Sequence, residues 1–184
     1  MMMLKVVLIS IAILNSRFSL GSDVLELLKE KNHFAMIRHA KAPGTGDPTN
    51  FELGDCKTQR NLSEEGIEQA KAIGKVLNSK LGKDFWIYTS EWCRCKDTAK
   101  HLGGKVPIVL PILNSFFENR GDGKAQTKEL RTWLKENLSK YSPLILVTHQ
   151  VNITELTDIF PSEGEILVLK LDADGSIKRI QKEK

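Results

Sequence analysis

Phe34-Ala35-Met36-Ile37 runs straight into Arg38-His39 and is followed at once by the turn-rich segment Pro43-Gly44-Thr45-Gly46-Asp47-Pro48. A short apolar run closed by turn residues reads as a buried strand. Its carboxyl end therefore delivers an arginine and a histidine side by side at the edge of a sheet, where open α/β sheets bind their ligands. Arginine is a fixed, forked cation suited to phosphate oxygens. Histidine can act near neutrality as a nucleophile or a proton carrier.

The rest of the chain has to supply the sheet. Phe85-Trp86-Ile87-Tyr88, Val106-Pro107-Ile108-Val109-Leu110 and Pro143-Leu144-Ile145-Leu146-Val147-Thr148 read as further strands, the proline-containing one towards an edge. Helical patterns alternate with them. Asp23 to Lys31 is one. A second opens at Ser63 with Ile67, Ala70, Ile73, Gly74 and Leu77 on one face. A third runs from Glu91 to Leu102 with Ser90 as its cap, a fourth from Gln126 to Leu138, and a short one from Ile153 to Ile159. Glu165 to Leu171 and Ile177 to Ile180 flank Asp174-Gly175, a hairpin signal. Strands alternating with helices predict an α/β three-layer sandwich with a mainly parallel central sheet. The loop over residues 42–60 is long and rich in Gly, Pro, Asn and Asp, as functional loops are.

The amino terminus differs from this pattern. Val6 to Leu14 is a nine-residue apolar run after a weakly basic start, with Ser19 and Gly21 as small residues before a cut after Gly21. That suits a secretory signal and is too short to span a bilayer; a buried first strand is the alternative. The expected division is a signal peptide over residues 1–21 and a mature domain over residues 22–184, exported to the periplasm, with no membrane span after removal of the signal. Removal takes away Lys5 and Arg17 and no acids, leaving 25 basic against 23 acidic side chains. This near balance gives no electrostatic footprint for nucleic acid.

Arg38-His39, Ser90 leading to Arg94, the Asn114–Glu118 segment and His149 each lie just beyond a strand run, so a parallel sheet brings them to one crevice. Two histidines, at least two arginines and one acid suit attack on phosphorus by an imidazole, with cations neutralising the phosphoryl oxygens. No metal-ligand spacing accompanies these histidines, so neither a metal nor a cofactor is expected. His33 and His101 read as solvated or capping.

These motifs resemble the histidine phosphatase superfamily, with its phosphoglycerate-mutase-like fold. Arg38-His39-Ala40 resembles its Arg-His-Gly signature, and Leu62-Ser63-Glu64-Glu65-Gly66-Ile67-Glu68-Gln69-Ala70 its helix start. Ser90-Glu91-Trp92-Cys93-Arg94 with Thr98-Ala99 resembles its next helix, and His149 its second histidine. Ala40 and Gln150 depart from the glycines common there. The resemblance implies that His39 is the phosphorylated nucleophile, that Arg38, Arg94 and His149 form the phosphate pocket, and that Arg60 is an additional pocket arginine. The proton donor would be Glu118 or its rival Asp122. If Arg60 and Arg94 reach one phosphate, Cys56 is brought towards Cys93 or Cys95. A Cys-x-Cys pair on a helix points two ways, so one of them pairs, Cys93 preferred.

The function so implied is that of an exported, metal-independent phosphomonoesterase, acting through a phosphohistidine on a phosphorylated small molecule or sugar. Phosphohistidine or phosphoprotein phosphatase, a phosphoglycerate-type mutase and an inactive phosphoryl-binding module are the alternatives.

Overall fold

The computed structural model describes residues 24–118 and 123–180. The expected signal peptide and Asp122 lie outside these residues. Six strands form one sheet: β1 (His33–Arg38), β2 (Trp86–Thr89), β3 (Ile108–Val109), β4 (Leu144–Thr148), β5 (Ile166–Leu171) and β6 (Ile177–Arg179). Their spatial order is β3-β2-β4-β1-β5-β6. β1 to β4 are mutually parallel, whereas β5 pairs antiparallel with β1 and forms a hairpin with β6. Four helices connect them: α1 (Glu64–Leu81), α2 (Cys93–Leu102), α3 (Gly123–Asn137) and α4 (Gln150–Thr157). The fold is the α/β three-layer sandwich with a mainly parallel sheet.

The layers follow from side-chain alternation along the strands. Ala35 and Ile37 of β1 face the same core as Ile145 and Val147 of β4, where Ile73 and Leu77 of α1 and Ala99 and Leu102 of α2 cover them. Phe34 and Met36 face the other way with Leu144 and Leu146, under Leu130 and Leu134 of α3 and Ile153 and Leu156 of α4. Both faces are apolar, so the central strands read as continuous hydrophobic runs.

The differences from the sequence reading are local. The first helical segment is a 3₁₀ helix, Val24–Lys29, because Leu25 and Leu28 are its buried residues and an i, i+3 pair aligns at three residues per turn. Only Ile108 and Val109 of the third strand pair, at the sheet edge, where the missing N–H of Pro107 costs nothing. α3 begins three residues earlier than the pattern suggested, and α4 begins at Gln150, immediately after His149. Of the two roles expected for His33, solvated or capping, the first does not hold: the residue is buried, with Nδ1 2.9 Å from the Lys31 carbonyl oxygen at the turn before β1.

The segment after His39 is held by the next helices. Thr98 of α2 accepts the Ala40 N–H at 2.9 Å, and Gln69 of α1 accepts the Lys41 N–H at 2.9 Å. Gly66 permits the approach of α1, since a Cβ there would stand 2.1 Å from the Lys41 carbonyl oxygen. The residues of the two helix motifs thus serve to seat the loop behind the histidine.

Candidate active site

The carboxyl ends of β1, β2 and β4 open on a cavity of about 460 Å³ whose floor holds Arg38, His39, Arg94 and His149. β1 and β4 are neighbours, with Arg38 in register with Thr148, and the His39 N–H donates to the Thr148 carbonyl at 2.9 Å. His39 and His149 follow directly, their ring centroids 5.6 Å apart in an edge-to-face arrangement.

His39 is 2 % exposed. Its Nδ1 lies 2.9 Å from the Ala40 carbonyl oxygen. A carbonyl can only accept, so Nδ1 carries the proton and Nε2 keeps a lone pair. Burial, reinforced by Arg94, Arg60 and Arg38, pushes the His39 pKa down to about 3 despite the opposing pull of that carbonyl. Burial, then His39 and the same arginines, hold His149 well below the ordinary histidine value. Both imidazoles are neutral at pH 7.

This sets a pH dependence of stability. An unfolded histidine binds a proton below about 6.5, where folded His39 does not, so the stability it confers is complete above 6.5 and falls towards pH 3. His149 acts in the same direction. Urea midpoints should drop between pH 7.5 and 5, with His39 alone contributing about 2 kcal/mol. In His39→Gln that share of the drop should vanish; an equal drop in both proteins would contradict the buried neutral ring.

Three arginines surround the histidines. Arg38 donates from Nη1 to the Pro161 carbonyl at 3.0 Å and lies 3.7 Å from Glu163. Arg94, its side chain only 4 % exposed, donates through Nη1 and Nη2 to the two oxygens of Asp47 at 2.8 and 3.1 Å. The Nε atoms of both Arg38 and Arg94 are buried without a hydrogen-bond partner. Buried donors left this way at one cavity floor fit an anion with several acceptor oxygens. Arg60 lines the wall, with Nε donating to the Gly46 carbonyl at 2.8 Å and Nη1 to the Ala42 carbonyl, so it braces the 42–60 loop as well as adding charge. Against these three cations stand Asp47 and Glu163. Burial works to raise the Asp47 carboxyl, but hydrogen bonds from Arg94, the Arg60 N–H and Trp92 outweigh it and hold the group below the usual carboxylate range. Asp47 is therefore a fixed anion and no proton donor.

Several residues here went unread in the sequence as parts of the site. Asp47 and Glu163 are two, each in a loop with no periodic signal. Ser90, which the sequence brings to the crevice as the cap of the next helix, does reach it. The cap position of α2 belongs to Trp92, with no side-chain bond, and the Ser90 hydroxyl lies 2.9 Å from His149 Nε2. The Cys95 Sγ lies 3.4 Å from the same nitrogen, and burial pushes this thiol up to about 12. Gln59 accepts the Cys93 N–H at 2.9 Å, fastening the loop to the start of α2. Glu118 stands exposed at the cavity mouth.

Cys56 and Cys93 form a disulfide with Cα atoms 5.7 Å apart, while Cys95 is a buried free thiol. The bond ties the loop carrying Asp47 and Arg60 to the helix carrying Arg94. It spans 37 residues, for which loop-closure entropy predicts about 3–4 kcal/mol of stabilisation. Reducing agent should lower the urea midpoint of the native protein and leave that of a Cys56→Ser/Cys93→Ser variant unchanged. Equal midpoints for the native protein with and without reductant would refute the stabilisation.

Among the described residues no group of three or more His, Cys, Asp or Glu side chains converges as metal ligands do. Nor is any helix long and apolar enough to cross a membrane.

Solved structures share this architecture. The protein histidine phosphatase SixA in complex with tungstate superposes with a TM-score of 0.57 at 17% identity, over 81% of this chain and 94% of that one. A phosphoserine phosphatase mutant from Entamoeba histolytica gives 0.57 at 14% identity, over 81% and 95%. The mycobacterial glucosyl-3-phosphoglycerate phosphatase gives 0.57 at 16% identity, over 80% and 97%. At these identities the likeness establishes the fold. No curated protein matches the sequence. The family model of the histidine phosphatase superfamily (branch 1) matches residues 34–144, a segment that opens with the strand leading to Arg38 and His39 and ends at the first residue of the strand leading to His149. A match over more than half the chain, on this fold and with this pair of histidines meeting at the sheet edge, makes the chain a member of the histidine phosphatase superfamily and a phosphatase.

Proposed function

We propose that this phosphatase is an exported, metal-independent phosphomonoesterase of the short exported bacterial branch, working through a phosphohistidine on His39. The observation that carries the reading is the His39 tautomer: Nδ1–H is engaged by the Ala40 carbonyl, which leaves the Nε2 lone pair at the floor of an arginine-lined cavity. In this reading Nε2 attacks phosphorus, the bond from phosphorus to the leaving oxygen breaks, and Glu118 protonates that oxygen. Water then attacks the phosphohistidine, the N–P bond breaks, the water proton passes to Glu118 and inorganic phosphate leaves. Arg38, Arg94 and His149 hold the phosphoryl oxygens, with Arg60 adding positive potential from the wall. Three arginines against two carboxylates supply the neutralising charge that a divalent ion would otherwise bring.

Export rests on the apolar run Val6 to Leu14 and on the disulfide, a bond typical of oxidising compartments. The mature protein would then span residues 22–184, and its substrates would be phosphorylated small molecules, sugar phosphates of the cell envelope among them.

The test is an assay of purified residues 22–184 on nitrophenyl phosphate and on glycerol phosphate, with and without chelator. Both should be hydrolysed and neither rate should respond to chelator. Glu118→Gln should lose about 10²–10⁴-fold on the alkyl ester and largely spare the nitrophenyl ester, whose leaving group needs no proton. Activity lost on chelation and restored by a divalent ion would overturn metal independence. Leaving-group dependence in Asp122→Asn instead would move the donor to Asp122.

A further inference from the structure

The cavity changes character from floor to mouth. Above the arginines and histidines its lining is aromatic. Phe51 stacks on Trp92 with ring centroids 5.3 Å apart and planes inclined by 20°. Trp92 in turn meets the His149 ring edge-on at 5.3 Å. The indole N–H donates to Asp47 Oδ2 at 3.0 Å, so the hydrogen-bonding end of Trp92 is engaged inside the protein and its apolar body is what remains for a ligand. Phe160, beyond α4, lines the same mouth with 72 % of its surface exposed, and Val151 and Phe117 line it too. Phe160 and Phe117 share this mouth with Phe51 and Trp92, and a largely apolar lining over a few convergent polar groups is what small-molecule sites have.

A phosphoryl group engages only the floor of a 460 Å³ cavity, so the mouth receives the alcohol part of the ester. Among the described residues of this lining, Glu118 is the charged side chain above the ionic floor, the group proposed to protonate the leaving oxygen. Among the described residues the neutral hydrogen-bonding side chains in the lining are Thr45, Ser115 and Gln150, few partners for the several hydroxyls of a sugar that would also desolvate against phenylalanine.

We infer that the substrate is a phosphomonoester whose alcohol bears a flat apolar group, an aryl or arylmethyl phosphate, taken up at the aromatic mouth formed by Phe51, Trp92 and Phe160. The inference rests on the phosphomonoesterase reading and refines its substrate class away from sugars. Stacking and burial of one such ring should favour it over a small polar alcohol by at least about tenfold in kcat/KM.

The experiment compares benzyl phosphate, glycerol phosphate and glucose 6-phosphate, all esters of poorly acidic alcohols, so that ring recognition is not confused with leaving-group acidity. Calorimetric binding of benzylphosphonate and methylphosphonate, which cannot turn over, runs alongside. Benzyl phosphate should exceed both other esters at least tenfold, and benzylphosphonate should bind correspondingly tighter than methylphosphonate. Phe160→Ser, at an exposed position where folding is safe, should cut the benzyl-to-glycerol ratio severalfold and raise KM for benzyl phosphate more than it lowers kcat; Phe51→Ala should act in the same direction. Equal rates on all three esters, or preference for glucose 6-phosphate, would overturn the inference and leave the phosphomonoesterase reading intact. Hydrolysis of none of the three would sink that reading instead, and the two phosphonates would still decide whether the mouth binds a ring.

Discussion

His39→Ala is expected to lower kcat by at least about 10⁴-fold and to abolish a phosphoenzyme that wild-type protein forms with nitrophenyl phosphate and retains after quenching in alkali. The effect should be this large because no neighbouring group can take over the attack. His149 has its Nε2 flanked by the Ser90 hydroxyl at 2.9 Å and the Cys95 thiol at 3.4 Å, and that thiol is held protonated. A phosphoramidate is stable to base and labile to acid, which distinguishes it from phosphoserine or an acyl phosphate. Mass spectrometry of the alkali-quenched peptide should place the label on His39. A label elsewhere, or turnover surviving in His39→Ala, would remove the nucleophile from this account.

Arg94→Ala should have the second-largest effect, and it should be double. The substitution removes the buried guanidinium group at the cavity floor, for which we expect a loss of about 10²–10³-fold in kcat/KM, of the size seen when a preorganised charge donor is deleted. It also strands the Asp47 carboxylate, whose side chain is 9% exposed, without its counter-ion, at a cost of about 3–5 kcal/mol in stability. The two consequences separate in the Arg94→Ala/Asp47→Asn double variant. Neutralising Asp47 removes the unpaired charge, so much of the stability should return while the activity stays lost. Activity returning in step with stability would mean that Arg94 only holds the loop.

How much of this was legible beforehand depends on where each residue lies. Arg38 and His39 could be read because four apolar residues and a turn frame them, and His149 because it ends the most apolar strand. The supporting glycine and glutamine of α1 carry a motif, and their geometric reason emerges only when Lys41 is seen packed on Gly66 and bonded to Gln69. Asp47 lies in a long loop without periodicity, and nothing local says that its carboxylate turns inward to meet Arg94. Ser90 was legible as a polar residue at a helix start, and its hydroxyl does accept the Trp92 N–H there at 3.3 Å; its second contact, 2.9 Å from His149, is long-range and has no local signal. The aromatic mouth gathers Phe51, Trp92 and Phe160 from three separate loops, a proximity created by the topology alone.

The ladder between β1 and β4 has an evolutionary and a practical consequence. Because the two histidines are successors of paired strand residues, with the His39 amide itself bonded to Thr148, their spacing is written into the skeleton of the sheet. The segments after β3 and after α4, which present Phe117, Glu118 and Phe160 to the alcohol, lie outside that skeleton. The spacing of the two histidines can therefore stand still while these two segments change, whereas Phe51 and Trp92 lie in segments that also hold Asp47 and lead to Arg94. An ancestor could shift its preference by rewriting the two outer segments, and a protein engineer can graft them to retune the catalyst.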